Sequence, residues 1–412
     1  MRTAPLRPLI ASLALALAMA PTLAGCGKSG HSRQASGGAG GPTKQVAAVA
    51  PQGAITVATR NTTRLGGRDA ATDAAAVARL VYPGLTAAKR PQAVVLVDER
   101  DWLPALAASV LASAPLRAPL LFSEGNALPA VSREALEAMR PAGATALGGA
   151  QVIRIGTSAG LPGGYRARSL PVSEAAAAAA DIESLLFAAG GGRPARQVIV
   201  LSATAPRALQ MPAAGLAAES GAPLLLVTAS GVPASTAAVL SSLKRPSIYV
   251  IGSASVGART LAELARFGAV TPIPSTSAAL EREGASASSI SVSRFTDGVF
   301  GWGVKEPGHG LVFANSSRPL DAPAAALLSA TGDYGPLLLL EGPAPLPAAL
   351  AGYLSNIQPA YTSAPQFRPV RGVYNHGWLI GDESAISAVT QVEIDSLLEI
   401  SPRKSTSEEA PE

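Results

Sequence analysis

The chain repeats itself three times, and that restricts its architecture more than any other feature. Val94-Val95-Leu96-Val97 is a short, wholly apolar run. Val198-Ile199-Val200-Leu201 follows 104 positions later, and Leu311-Val312-Phe313 a further 113 on. A second landmark keeps both offsets. Ala118-Pro119-Leu120-Leu121-Phe122 is matched by Ala222-Pro223-Leu224-Leu225-Leu226 after 104 residues and by Gly335-Pro336-Leu337-Leu338-Leu339 after another 113. A third landmark closes each copy: Ala146-Leu147-Gly148-Gly149, then Val250-Ile251-Gly252-Ser253 at 104, then Leu379-Ile380-Gly381-Asp382 at 129. The last offset implies a 16-residue insertion, placed between Pro359 and Gly377.

Helical patterns fill the spaces between landmarks. Leu103, Leu106, Val110 and Leu111 share one face of a helix over residues 103–112. Val131 to Met139, Ser235 to Leu243 and Leu346 to Leu354 follow the second landmark of each copy, with Pro129, Pro233 and Pro345 or Pro347 at their starts. Each copy opens with an Ala-rich helix: Ala70 to Leu80, Ser173 to Leu186 and Ala285 to Phe295. Strands that are apolar throughout and alternate with helices indicate a parallel sheet covered on both faces. Right-handed crossovers then make each copy a small layered unit. The fold class is therefore α/β: three tandem Rossmann-like units with parallel sheets in a pseudo-threefold arrangement. The copies are bounded at residues 55–162, 163–275 and 276–401.

Before the repeats, Arg2 and Arg7 precede an apolar run from Leu9 to Ala20, too short to span a bilayer. Leu23-Ala24-Gly25-Cys26 follows. Small residues before a Cys, directly after such a run, resemble the lipobox of bacterial lipoproteins. That resemblance implies a signal peptide over 1–25 and a lipid on Cys26, palmitate included, holding the protein to the outer face of the cell membrane. A plain secretory signal with a chance Cys is the alternative. Residues 26–54 are a Gly/Ser-rich tether carrying Lys28, Arg33 and Lys44, and 402–412 form a polar, disordered tail. The net charge of +5 is concentrated in these flanks, which leaves +1 for the repeats. The repeats are thus no basic nucleic-acid binder. Cys26 is the only cysteine, so no disulfide framework exists. His31, His309 and His376 are too dispersed for a Cys/His zinc site, and no metal or cofactor is expected.

Arg64-Leu65-Gly66-Gly67-Arg68-Asp69-Ala70-Ala71-Thr72-Asp73-Ala74, the Pro119-Leu120-Leu121 strand and the Gly148-Gly149 ending resemble the cell wall-binding repeat 2 family of Gram-positive surface proteins. The likeness covers nearly all of residues 55–400, and repeat 1 fits best. The Asp-Ala-Leu-like turn of the family survives only as Asp321-Ala322. Pro104-Ala105-Leu106 and Ala208-Leu209-Gln210 lack the Asp. The resemblance implies a non-catalytic protein that binds an anionic cell-wall polymer or other anionic glycan.

Candidate ligand residues are those on loops at strand ends, where α/β sheets bind. Arg64, Arg68 and Asp69 form the densest polar cluster, and an Arg fork matches phosphate or carboxylate. An ion pair at a helix N-terminus is the structural alternative. Arg154 and Arg168 are the candidate equivalents in repeat 2, and Arg318 and Asp321 follow the first strand of repeat 3. Trp102 is a candidate for stacking a sugar or for core packing. Gly156-Thr157-Ser158-Ala159-Gly160 matches a nucleophile elbow, but Leu161-Pro162-Gly163-Gly164 breaks the helix such an elbow needs. Ser241-Ser242-Leu243-Lys244 matches S-x-x-K without a Lys-Thr-Gly partner. The rival functions are a two-lobed solute-binding lipoprotein of a transporter and a serine hydrolase centred on Ser158.

Overall fold

The computed structural model describes residues 53–273, 284–330, 335–361 and 374–402. The lipobox at Cys26, the tether, most of the insertion between Pro359 and Gly377 and the tail after Pro402 lie outside the described residues. All the described residues belong to one compact unit, Ala48–Glu412.

Three sheets carry the fold. The strands, in chain order, are β1 (Ile55–Ala58), β2 (Thr62–Gly66), β3 (Val94–Asp98), β4 (Leu120–Ser123), β5 (Val152–Ile155), β6 (Ala167–Leu170), β7 (Gln197–Ser202), β8 (Leu224–Val227), β9 (Ser247–Ile251), β10 (Ala269–Pro272), β11 (Gly310–Asn315), β12 (Leu337–Leu340), β13 (Ala360–Tyr361), β14 (His376–Ile380) and β15 (Ser401–Pro402). The first sheet runs β4-β3-β5-β6, the second β8-β7-β9-β10 and the third β12-β11-β14-β2-β1. Every pair is parallel except β1 with β2. The layered, parallel α/β units are therefore present; the second sheet lies within residues 163–275, while β6 joins the first sheet and β1 and β2 join the third across the expected bounds. The fourth strand of each sheet precedes the opening helix of the next copy: β6 pairs with β5, β10 with β9, and β2 returns from the N-terminal end to pair with β14. Pro402, assigned to the tail, pairs with Tyr361 in a two-stranded β13–β15 bridge.

Two of the three landmarks are neighbouring strands in every copy, because β-branched and Leu residues pack well on a pleated surface buried on both faces. The third needs correction in copy one. Thr145–Leu147 is a short 3₁₀ turn, and the strand is Val152–Ile155, ending at Gly156. The true equivalents are Gly156, Gly252 and Gly381, each directly after the third strand of its sheet and each in the left-handed region. Gly-rich composition around Gly148 disguised a turn as a strand end.

The strands alternate between two cores, as a side-chain period of two requires. Val95 and Val97, Ile199 and Leu201, and Val312 and Ala314 face one shared central cluster. Val94 and Leu96, Val198 and Val200, and Leu311 and Phe313 face three separate outer clusters. The centre is built from helices rich in Ala, the best helix former and small enough for close approach. Helix Asp321–Ser329 packs on Ala70–Val81 and on Pro212–Ser220. The 3₁₀ turn Ser109–Ala112, which continues helix Trp102–Ala108, packs on both Pro212–Ser220 and Asp321–Ser329. Outer helices Ala130–Met139, Ala234–Ser242 and Ala348–Asn356 follow the second strand of each sheet, with Pro129, Pro233 and Pro347 one position before the first helical residue. Among the described residues no helix is long and apolar enough to cross a membrane.

Candidate ligand-binding site

Pairing of β2 with β14 brings Arg64, Arg68, Asp69, Arg318 and Asp321 to one junction, where the two ends of the described chain meet. The residues have different roles there. Arg64 lies mid-strand opposite Leu379 and is 2% exposed. Its guanidinium donates to Gln391 Oε1 at 3.0 Å, to the Asp382 carbonyl at 2.8 Å and to the Gly381 carbonyl at 3.2 Å. Gln391 in turn donates to Thr62 Oγ1 at 3.0 Å. Those acceptors belong to the C-terminal segment, so Arg64 staples the ring shut and has no donor facing a ligand.

Asp69 caps helix Ala70–Val81, accepting from the Thr72 amide at 2.8 Å. One turn on, Asp73 is fully buried and accepts from the Gly67 amide at 2.6 Å and from Arg318. Arg318 also pairs with Asp321 at 2.9 Å and donates to the Gly67 carbonyl at 3.3 Å. One guanidinium thus serves two buried carboxyls. Burial, and then the Asp321 charge, push Asp73 up to about 9 against the pull of Arg318. Burial pushes Asp321 up to about 6 against the same pull. Asp73 stood within the quoted repeat opening without being singled out. The available signal was a lone acid on an otherwise apolar helix face. Gln391 offered no signal of its own, because its importance comes only from the Arg64 it meets.

Arg68 is different: its side chain is 90% exposed, at 3.6 Å from Asp382. It is the member of this cluster free to approach a large ligand. Arg154 and Arg168 lie in the first sheet, away from it. Arg154 donates to Ser169 Oγ at 3.1 Å and Arg168 is exposed on β6. Matching Gly156 with Gly381 makes Ser169 the positional equivalent of Arg64. Arg168 is one residue earlier and so on the opposite face of its strand. Trp102 is 6% exposed and donates to Gln210 Oε1 at 2.6 Å, which fixes it in the core and leaves no face for a sugar.

A second polar group surrounds the C-terminal ends of the first sheet. Arg100 clasps Asp98 at 2.6 Å, and that hydrogen bond holds the Asp98 carboxyl below its usual range. Burial, reinforced by Glu124, Asp98 and Asp69, raises Glu99. Ser158 donates to Asn126 Oδ1 at 2.6 Å, and no helix begins in the described residues 156–166. His376 instead has its Nε2 at 3.0 Å from Thr63 Oγ1. The geometry around Ser158 therefore offers an amide oxygen where an elbow needs an imidazole. Among the described residues no group of acids and histidines is arranged to hold a metal.

With this geometry in hand, the comparisons are specific about the fold. Solved structures similar to this chain include Cwp6 from Clostridium difficile, with a TM-score of 0.62 and 16% identity over 84% of this chain, and Cwp8 from the same organism, with 0.60 and 16% over 82%. This chain spans about half the length of each, 51% and 52%. No family model matches the chain, and no curated protein does. The likeness is one of architecture: the layered α/β units recur at low identity.

Proposed function

We propose that this is a non-catalytic envelope protein that binds an anionic cell-wall polymer and is held to the membrane through a lipid on Cys26. The observation carrying it is the likeness of fold to Cwp6 and Cwp8, cell-wall proteins. Three sheets of equal standing fit a repeat-built binding module better than a two-lobed solute trap. An arginine as open as Arg68, with Arg154 and Arg168 on a second sheet, supplies cationic contacts of the kind phosphate or carboxylate groups accept. Such exposed contacts are screened over about 8 Å at physiological ionic strength, so binding weakens with salt.

The test is co-pelleting of the full chain with isolated wall, before and after its anionic polymers are stripped. Retention on intact wall and loss on stripped wall are expected. An Arg68→Ala, Arg168→Ala double variant should pellet several-fold less at an unchanged melting temperature. A protein that stays in the supernatant with every wall preparation would end the proposal. For the anchor, Cys26→Ala should abolish incorporation of labelled palmitate and release the protein from membranes. Continued labelling would mean another residue is modified.

A further inference from the structure

The C-terminal half of helix Ala175–Ala189 borders a cavity of about 600 Å³. Its walls include Ala114, Pro115, Leu186 and Pro223, and Arg193 stands at its exposed rim. Glu183 lines it too, although that residue is only 7% exposed. The other buried acids of the fold are each paired with an arginine: Asp98 with Arg100, and Asp73 and Asp321 with Arg318. No hydrogen bond or ion pair to the Glu183 carboxyl occurs among the described residues, and burial alone raises its affinity for a proton. Its carboxyl oxygens are not among the enclosed side-chain atoms that lack a partner, so they open on the cavity. The acid is not repeated in the sister helices. Nine residues past each N-cap, where this helix has Glu183, they have Ala78 and Ser293, and Ser293 is hydrogen-bonded to Tyr353 at 2.6 Å. Glu183 is therefore no requirement of the repeat.

Two further features agree in sign. The cavity lies against the C-terminal turn of a 15-residue helix, where the backbone dipole favours positive charge. Pro115, Leu186 and Pro223 give it an apolar share of wall, as in sites that bind a small organic body with one fixed polar contact. A second cavity of about 510 Å³, between helices Ala285–Arg294 and Ala348–Asn356, lacks this property. Its charged residue, Arg294, already rests over the Tyr353 ring at 5.0 Å.

We propose that the Glu183 cavity is a binding site for a small organic cation, a primary ammonium on a short apolar body, with the Glu183 carboxylate as its counter-charge. The site is independent of polymer binding by the repeats. The experiment is calorimetric titration of the full chain with alaninamide and with isobutyramide, in which a methyl group replaces the ammonium. Saturable binding of alaninamide is expected, with none of isobutyramide at the same concentrations. Glu183→Gln, which keeps shape and removes charge, should weaken alaninamide at least tenfold. Ala189→Phe, filling the cavity from its rim, should abolish binding while leaving the melting temperature unchanged, and it decides the matter if Glu183→Gln proves unstable. Absence of alaninamide binding, equal binding of isobutyramide, or undiminished binding in Ala189→Phe overturns the proposal.

Discussion

In the first sheet, β5 reaches β6 through residues 156–166 of the same stretch of chain. In the third, β14 meets β2 from the opposite end of the described chain. Covalent continuity keeps the ends of the first junction close, so its closure entropy is small. Its side-chain support is correspondingly slight: an exposed bond from Arg154 to Ser169, and one from the Arg166 amide to Gln151 at 3.3 Å. The third junction has no such tether and is held by buried charge. Arg64 binds Gln391 and three backbone carbonyls, Arg318 binds Asp73 and Asp321, and Asp395 accepts from the Asn61 amide at 2.7 Å. The polar cluster that reads as a binding site in the sequence is, for the most part, the clasp that replaces a missing covalent link.

The largest effect should separate Arg64 from Ser169, its positional equivalent. Arg64→Ala leaves buried acceptors without donors and should cost about 3 kcal/mol in urea unfolding, whereas Ser169→Ala stays within about 0.5 kcal/mol. Equal effects would mean that the clasp is not what closes the ring. The next contrast compares Gly381 with Gly252. Both have positive φ, +93° and +76°. A Cβ at Gly381 would come within 2.6 Å of the Ala385 Cβ and 3.1 Å of Arg318, while Gly252 faces open space. Gly252→Ala should cost about 1 kcal/mol for its backbone alone and Gly381→Ala about 2 kcal/mol more.

A third contrast is a dependence of stability on pH. A carboxyl held near 9 in the fold and near 4 in the unfolded chain binds its proton more tightly when folded. Its stabilising contribution is complete at low pH and declines as pH rises through that window. Asp321, raised to about 6, acts in the same direction. The melting temperature should therefore fall between pH 6 and pH 9, and Asp73→Asn should flatten the slope. A melting temperature that stays flat over this range, in the wild type as in Asp73→Asn, would show that Asp73 is ionised in the fold throughout.

Much of the architecture was legible because it is periodic. Ala70–Val81, Ala130–Met139 and Ala234–Ser242 lie where the apolar spacing and the proline positions put them, within a residue or two. Leu147-Gly148-Gly149 misled because a turn and a strand end share the same glycine-rich composition. For the site, loop position and residue type singled out Arg64, Arg68 and Asp69 in the first copy and, separately, Arg318 and Asp321 in the third; only the pairing of β2 with β14 brings them together. Position and type did not separate Arg68, open to solvent, from Arg64, enclosed by Gln391 and Asp382.

The sequence by itself determined the three copies, the alternation of helix and strand and the two-sided burial of the strands, because each follows from local spacing and propensity. Only the tertiary structure decided that β2 completes the third sheet and that Trp102 belongs to Gln210. It alone revealed that Arg318 serves two acids, Asp73 and Asp321, at once. A side chain's role depends on what is packed against it, and these partners are more than 100 residues away for Trp102 and more than 300 for Arg64. No local pattern records a contact over that distance; the closing of the ring creates it.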